Sequence, residues 1–100
     1  MIWYKLRKWH FMTNLEESII LFYKKIGSNV KQKRIEKGLT QLELSQRLNL
    51  KSSGLISQGE LYINKQHFNL KHLYLIASVL ECDIKEFFED IENLPKDWEI

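Results

Sequence analysis

The 100-residue chain predicts an all-α fold of five helices. Three observations carry this. Apolar residues recur at three- and four-residue spacing from Ile19 to Val30 and from Leu70 to Leu80. Residues that cap helices stand ahead of the helical stretches, at Asn14, Thr40, Asn69 and Asp83. Nothing reads as a strand, since the one candidate, "LYI" at 61–63, is too short.

For the first helix the sequence predicts Asn14 as N-cap, with Glu16 and Glu17 in the first turn, where negative charge suits the helix dipole. Its apolar residues are Ile19, Phe22, Tyr23, Ile26 and Val30, and Gly27 is a point where it can kink or break. The helix should end at "EKG", with Gly38 free to take the left-handed conformation that closes helices. Thr40 and Glu43 form a capping box that launches a second helix of about eight or nine residues, with Leu44 and Leu48 on one face. Asn49 ends it, and "LKSSGLISQGE" leads through a turn into a short third helix. Asn69 caps "LKHLYLIASVL", in which Leu70, Leu73, Ile76, Ala77 and Leu80 form a buried stripe. Asp83 with Glu86 caps a last helix containing Ile84, Phe87, Phe88 and Ile91, and Pro95 marks the end of regular structure.

Length and composition, 44% hydrophobic and 28% charged, are those of one small globular domain, with room for a helical core but not for a large enclosed active site. No nucleophile–base pair, metal-ligand set or phosphate-cradling glycine loop is evident, so neither an enzyme nor a cofactor is expected. Cys82, the single cysteine, excludes an intrachain disulfide and reads as a core residue. The longest strictly apolar run, Ile19 to Tyr23, is far below the roughly 20 residues that cross a bilayer, and "MIWYKLRKWHFM" makes a poor signal peptide. No membrane association and a cytoplasmic location are expected.

The net charge of +2 hides an asymmetry. Residues 1–80 carry 13 Lys and Arg against 5 Asp and Glu, net +8, whereas 81–100 carry 2 against 8, net −6. A basic body with an acidic tail raises the prospect of a polyanionic partner.

The ordered series "VKQKRIEKGLTQLELSQRL", "ISQGE" and "NLKHLYLIASVLECDIKEFF" resembles the helix-turn-helix regulators of the lambda-repressor and Cro type, the XRE family. The resemblance covers Ile26 to Phe88, about two thirds of the chain. It implies a five-helix DNA-binding domain over residues 26–91, preceded by a helical, aromatic extension over 1–25 and followed by an acidic tail over 92–100. It also implies a sequence-specific transcriptional regulator, a repressor in type, that acts as a homodimer on double-stranded DNA with two half-sites about one helical turn apart.

In that family the second helix crosses the DNA backbone and the third enters the major groove. Carried onto this chain, Gln41 is the expected phosphate contact, and Lys51, Ser52, Ser53, Ser57 and Gln58 are the expected base readers around the start of the third helix. Lys31, Lys33 and Arg47 are candidates for phosphate neutralisation, and the loop "YINKQHF" could add Asn64, Lys65 and Gln66. His67 and Thr40 read as structural, the latter as a cap. The resemblance pairs Arg34 with Glu60 as an ion pair tying the first helix to the third, and places Phe87, Phe88 and Ile91 at a dimer interface.

The chain departs from the family pattern in three places. The interval from Gln41 to Ile56 is one residue longer than the commonest spacing, and the loop before Asn69 is longer by a residue or two. Gly59 stands where a small or apolar residue packs the third helix on the second. For the N-terminal segment, with Trp3, Tyr4, Trp9 and Phe11 among Lys5, Arg7 and Lys8, four readings stand: a DNA-contacting arm, a dimerisation segment, an interfacial strip, or a stretch upstream of a true start at Met12. Packing of these aromatics against a partner subunit or against Trp98 is preferred. The alternative function is an antitoxin-like module whose main partner is another protein.

Overall fold

The computed structural model describes the backbone of residues 2–93 and the side chains of residues 15–92. It is helical throughout, with no strand among the described residues. Four α-helices, α1 (Ile2–Glu36), α2 (Gln41–Arg47), α3 (Gly54–Leu61) and α4 (Leu70–Leu80), are joined and followed by three 3-10 turns at Ile63–Lys65, Ile84–Phe88 and Ile91–Asn93.

Two expectations are corrected at once. Asn14 caps nothing, because α1 is one 35-residue helix that passes through it, and Gly27 does not interrupt that helix. The residues expected to form an extension are therefore the same helix as the first element of the body. The glycine is explained by packing: a Cβ at Gly27 would stand 2.7 Å from the Glu60 carbonyl oxygen and closer still to that of Gly59. Only a residue without a Cβ lets the α3 backbone approach α1 this closely.

A further correction concerns the last helix. Ile84–Phe88 is a 3-10 turn and Ile91 belongs to another, separated by extended Glu89 and by Asp90 at φ 61°. The Asp83 carboxylate accepts from Lys85 N–H, and the Asp83 N–H donates to Glu86, so the predicted cap forms. The Asn29 amide then donates to the carbonyls of Phe87 (3.0 Å) and Glu89 (2.8 Å). Those oxygens are the acceptors a continuing α-helix would need, and a bond from α1 takes them.

The remaining boundaries follow local chemistry. Gly38 closes α1 at φ 74°, and Leu39 N–H bonds back to the Arg34 carbonyl at 3.2 Å. Thr40 Oγ accepts from Glu43 N–H at 3.0 Å, while Thr40 N–H donates to the Glu43 carboxylate, which completes the box. The helix α2 is seven residues long, and Asn49 at φ 60° turns the chain out of it. Asn69 caps α4 with an unanticipated partner: His72 N–H donates to Asn69 Oδ1 at 2.8 Å and Asn69 N–H donates to His72 Nδ1 at 3.1 Å.

Ile26 and Val30 of α1, Leu44 of α2, Ile56 of α3, Leu73, Ile76 and Leu80 of α4 and Phe87 of the closing turn form one buried core. Each side chain fully removed from water there contributes roughly 1.5–3 kcal/mol before entropy is counted. At Gly59 a Cβ would strike the Phe68 ring at 2.6 Å, so the space beside this glycine is filled by an aromatic arriving from the loop before α4.

Candidate nucleic-acid interface

The α2–α3 unit is held to α1 by a hydrogen-bonded charge network. Arg34 Nε and Nη2 donate to the two carboxylate oxygens of Glu60 at 2.7 and 3.0 Å, and Nη1 donates to the Leu39 carbonyl at 2.7 Å. The Arg34 side chain is 8% exposed and that of Glu60 is 0%. Such a bidentate pair fixes direction as well as distance. Gln41 joins it: Nε2 donates to Glu60 Oε1 at 2.9 Å. One carboxylate thus links α1, α2 and α3, and the Gln41 amide is oriented by the protein.

With Ile56, Gly59 and Glu60 turned inward, helical register puts Gly54, Ser57, Gln58 and Leu61 on the opposite side of α3. Ser57 and Gln58 are half-buried, and Leu61 is 54% exposed. The Ser57 hydroxyl donates to the Gly54 carbonyl at 3.2 Å. Ser53 occupies the N-cap position without a capping bond from its side chain, and Ser52 Oγ instead accepts from Gly54 N–H at 3.3 Å. That serine bond to the residue two ahead holds the enlarged turn from which α3 starts.

Lys51 and Ser52 are exposed on that turn, Arg47 is exposed at the end of α2, and Asn64 and Lys65 are exposed just past α3, both in the left-handed region at φ 55° and 62°. Gln66 is exposed beside them. The segment 51–58, Gln41 and this loop therefore lie along one run of chain around α3.

Two of the expected residues lie elsewhere. Lys33 faces the 3-10 turn 84–88, where its ammonium reaches Glu36 and Glu86, each at 3.1 Å. Its hydrogen bond to Glu36, supported by that to Glu86, holds the ammonium above the ordinary lysine range. This is a charge occupied within the fold. Phe87 is wholly buried in the core and offers no surface to a second copy, which leaves only half-buried Phe88 and Ile91 of the expected dimer contacts.

Leu61 joins this face unexpectedly, although its spacing, four residues after Ser57 and three after Gln58, already places it there.

Aromatic stacking braces the loop beyond α3. The Tyr23 ring of α1 stacks on His67 (centroids 3.9 Å apart, 20°) and on Tyr62 (6.0 Å, 8°). His67 packs face to face on Tyr23, but the satisfied structural role expected of it is not met, since its buried Nδ1 has no hydrogen-bond partner among the described residues. Burial, with Lys71 and His67 nearby, lowers the affinity of His72 for a proton, which suits an Nδ1 that accepts from Asn69. The Cys82 thiol is pushed up by burial and by Glu86, away from a reactive thiolate. Among the described residues no group of His, Cys, Asp or Glu is placed to hold a metal ion, and no helix is long and apolar enough to cross a membrane.

Comparison of the chain with protein-family models, with curated proteins and with solved structures found no match.

Proposed function

We propose that the chain is a sequence-specific DNA-binding transcriptional regulator of the lambda-repressor and Cro type, acting as a homodimer on a two-half-site operator. The observation that carries this is the Arg34–Glu60–Gln41 network. It fixes α3 relative to α1 and α2 while leaving Ser57, Gln58 and Leu61 on the far side of the helix. A reading helix has to be presented rigidly, and a buried bidentate pair supplies that rigidity.

In this reading Gln58 is the main reader, able to pair bidentately with adenine, and Leu61 gives apolar contact to a thymine methyl group. Gly54 and Ser53 allow close approach at the helix start. Gln41 commits one amide hydrogen to Glu60, and its second is available to a phosphate. Lys51, Arg47 and Lys65 supply the sequence-independent charge, a role that passes from Lys33.

Fluorescence anisotropy on DNA from upstream of the gene, at several salt concentrations, tests the proposal. Binding should weaken linearly in log affinity against log salt. Gln58→Ala should cost about 1–3 kcal/mol on the preferred site and little on scrambled DNA, whereas Lys51→Ala should weaken both alike. Equal affinity of the unsubstituted chain for preferred and scrambled DNA would falsify the assignment.

A further inference from the structure

A cavity of about 310 Å³ opens between α1, the loop that follows α3, and the start of α4. Buried Ile26, Phe68 and Leu73 form its floor, and half-buried Phe22, Tyr23 and Phe88 stand around it. Leu70 also lines it and is 74% exposed, so the cavity opens to water beside that residue. Among the described residues, no Lys, Arg, Asp or Glu takes part. The size is at the lower end of the range for small-molecule sites, roughly 300–1,000 Å³, and suits a compound of one or two fused rings.

One polar group in the wall is left over. His67 lies face to face with Tyr23, and its buried Nδ1 has no hydrogen-bond partner among the described residues. The other polar lining residue, Asn69, is engaged: its Oδ1 accepts from His72 N–H and its backbone N–H donates to His72 Nδ1. An unpaired buried nitrogen costs free energy that a ligand's hydrogen bond recovers. A neutral imidazole presents at Nδ1 either a lone pair or an N–H, according to tautomer, and a hydroxyl answers both because it donates and accepts. A carboxylate or an ammonium group would find no fixed opposite charge along these walls.

We infer that this cavity binds a neutral aromatic hydroxyl compound, a phenol in class, with its ring among Phe22, Tyr23, Phe68 and Phe88 and its hydroxyl at His67 Nδ1. The site adjoins the end of α3. Tyr23 stacks on Tyr62, which closes α3 in the left-handed region, as well as on His67. The Phe68 ring fills the space beside Gly59 of α3. A ligand held by Tyr23, His67 and Phe68 therefore touches the side chains that set where α3 ends. That puts an effector site next to the proposed reading helix, but the inference does not depend on DNA binding.

Titration of the full chain with β-naphthol, followed by calorimetry and by amide chemical shifts, tests it. Binding should saturate at one ligand per chain, with the largest shift changes at Tyr23, His67 and Phe68. Naphthalene, which keeps the rings and lacks the hydroxyl, should bind about fivefold more weakly, and β-naphthoate more weakly still. His67→Phe keeps a ring against Tyr23 and removes Nδ1, so it should abolish the preference for β-naphthol over naphthalene. Leu70→Trp, at an exposed position, should block entry of both compounds without unfolding the chain. The inference is overturned if neither compound saturates, if β-naphthoate binds as well as β-naphthol, or if either variant leaves the affinities unchanged. A probe admitted only after Trp98→Ala would assign the cavity to the chain's own C-terminal segment and overturn it as well. Sequence-specific DNA binding by a chain that takes no ligand would leave the regulator proposal standing.

Discussion

Arg34 and Lys33 are neighbours in sequence and point to opposite fates. Arg34 meets Glu60 where the side chains are 8% and 0% exposed; Lys33 meets Glu36 and Glu86 where they are 17%, 48% and 34% exposed. One residue of helical rotation, about 100°, turns the first toward α3 and the second toward the 84–88 turn. What separates them energetically is water. A solvated ion pair gains little, because solvent already stabilises both charges, whereas a buried pair is held to its partner because neither charge can be left alone there.

The largest effect should follow from breaking the buried side. Glu60→Ala strands the Arg34 guanidinium and removes the acceptor of Gln41, and should cost roughly 3–5 kcal/mol by chemical denaturation. Replacing both partners, Arg34→Met with Glu60→Leu, should recover most of that loss, since apolar groups of similar volume carry no desolvation penalty. If Glu60→Ala is no more damaging than an ordinary surface change, the pair is not as enclosed as its geometry indicates.

A smaller effect should come from the crossing that makes the pair possible. Gly27 lies two turns before Arg34 on α1, and a Cβ added there meets the backbone at Glu60 itself. Gly27→Ala must push α3 outward and lengthen the Arg34–Glu60 bonds. Overpacking of this kind costs about 1–3 kcal/mol, partly offset by the higher helix propensity of alanine. The measurement is again the denaturation midpoint, and a stabilised variant would show that the two helices have room to separate.

How much of this the sequence disclosed depends on the range of the interaction. Thr40 with Glu43, Asp83 with Glu86 and Asn69 as a cap were legible because a capping bond spans three residues. Asn14 carried the same local signal and is mid-helix, because nothing local forbids an asparagine there once the helix continues on both sides. The 3-10 character of 84–88 was illegible, since it is tied to Asn29, 58 residues from Phe87. The short helix α3 following a turn was readable from order and spacing. Lys33 was misplaced because lysine type says nothing of which face of α1 it occupies, and only a neighbour's carboxylate at Glu86 reveals it.

The exposed side of the comparison should give the smallest effect and the clearest dependence on pH. The hydrogen bond from Lys33, then that from Gln32, holds the Glu36 carboxyl below the usual carboxylate range, and Lys33 is raised above its own. For Glu36 the folded chain binds protons less readily than the unfolded one. Its contribution is therefore complete above the ordinary carboxylate pKa, about 4.3, and is lost as pH falls through the lowered folded value. For Lys33 the sign reverses: the contribution is complete below about 10.4 and is lost as pH rises through the raised value. The melting temperature of Lys33→Ala should thus lie slightly below that of the unsubstituted chain from about pH 5.5 to 9, and the gap should narrow in acid as Glu36 takes up a proton. Added salt should narrow it as well, because both partners reach solvent. A gap that stays constant from neutral pH into acid would mean that Lys33 acts through the packing of its aliphatic stem, and the contrast with Arg34 would then be one of contact rather than of charge.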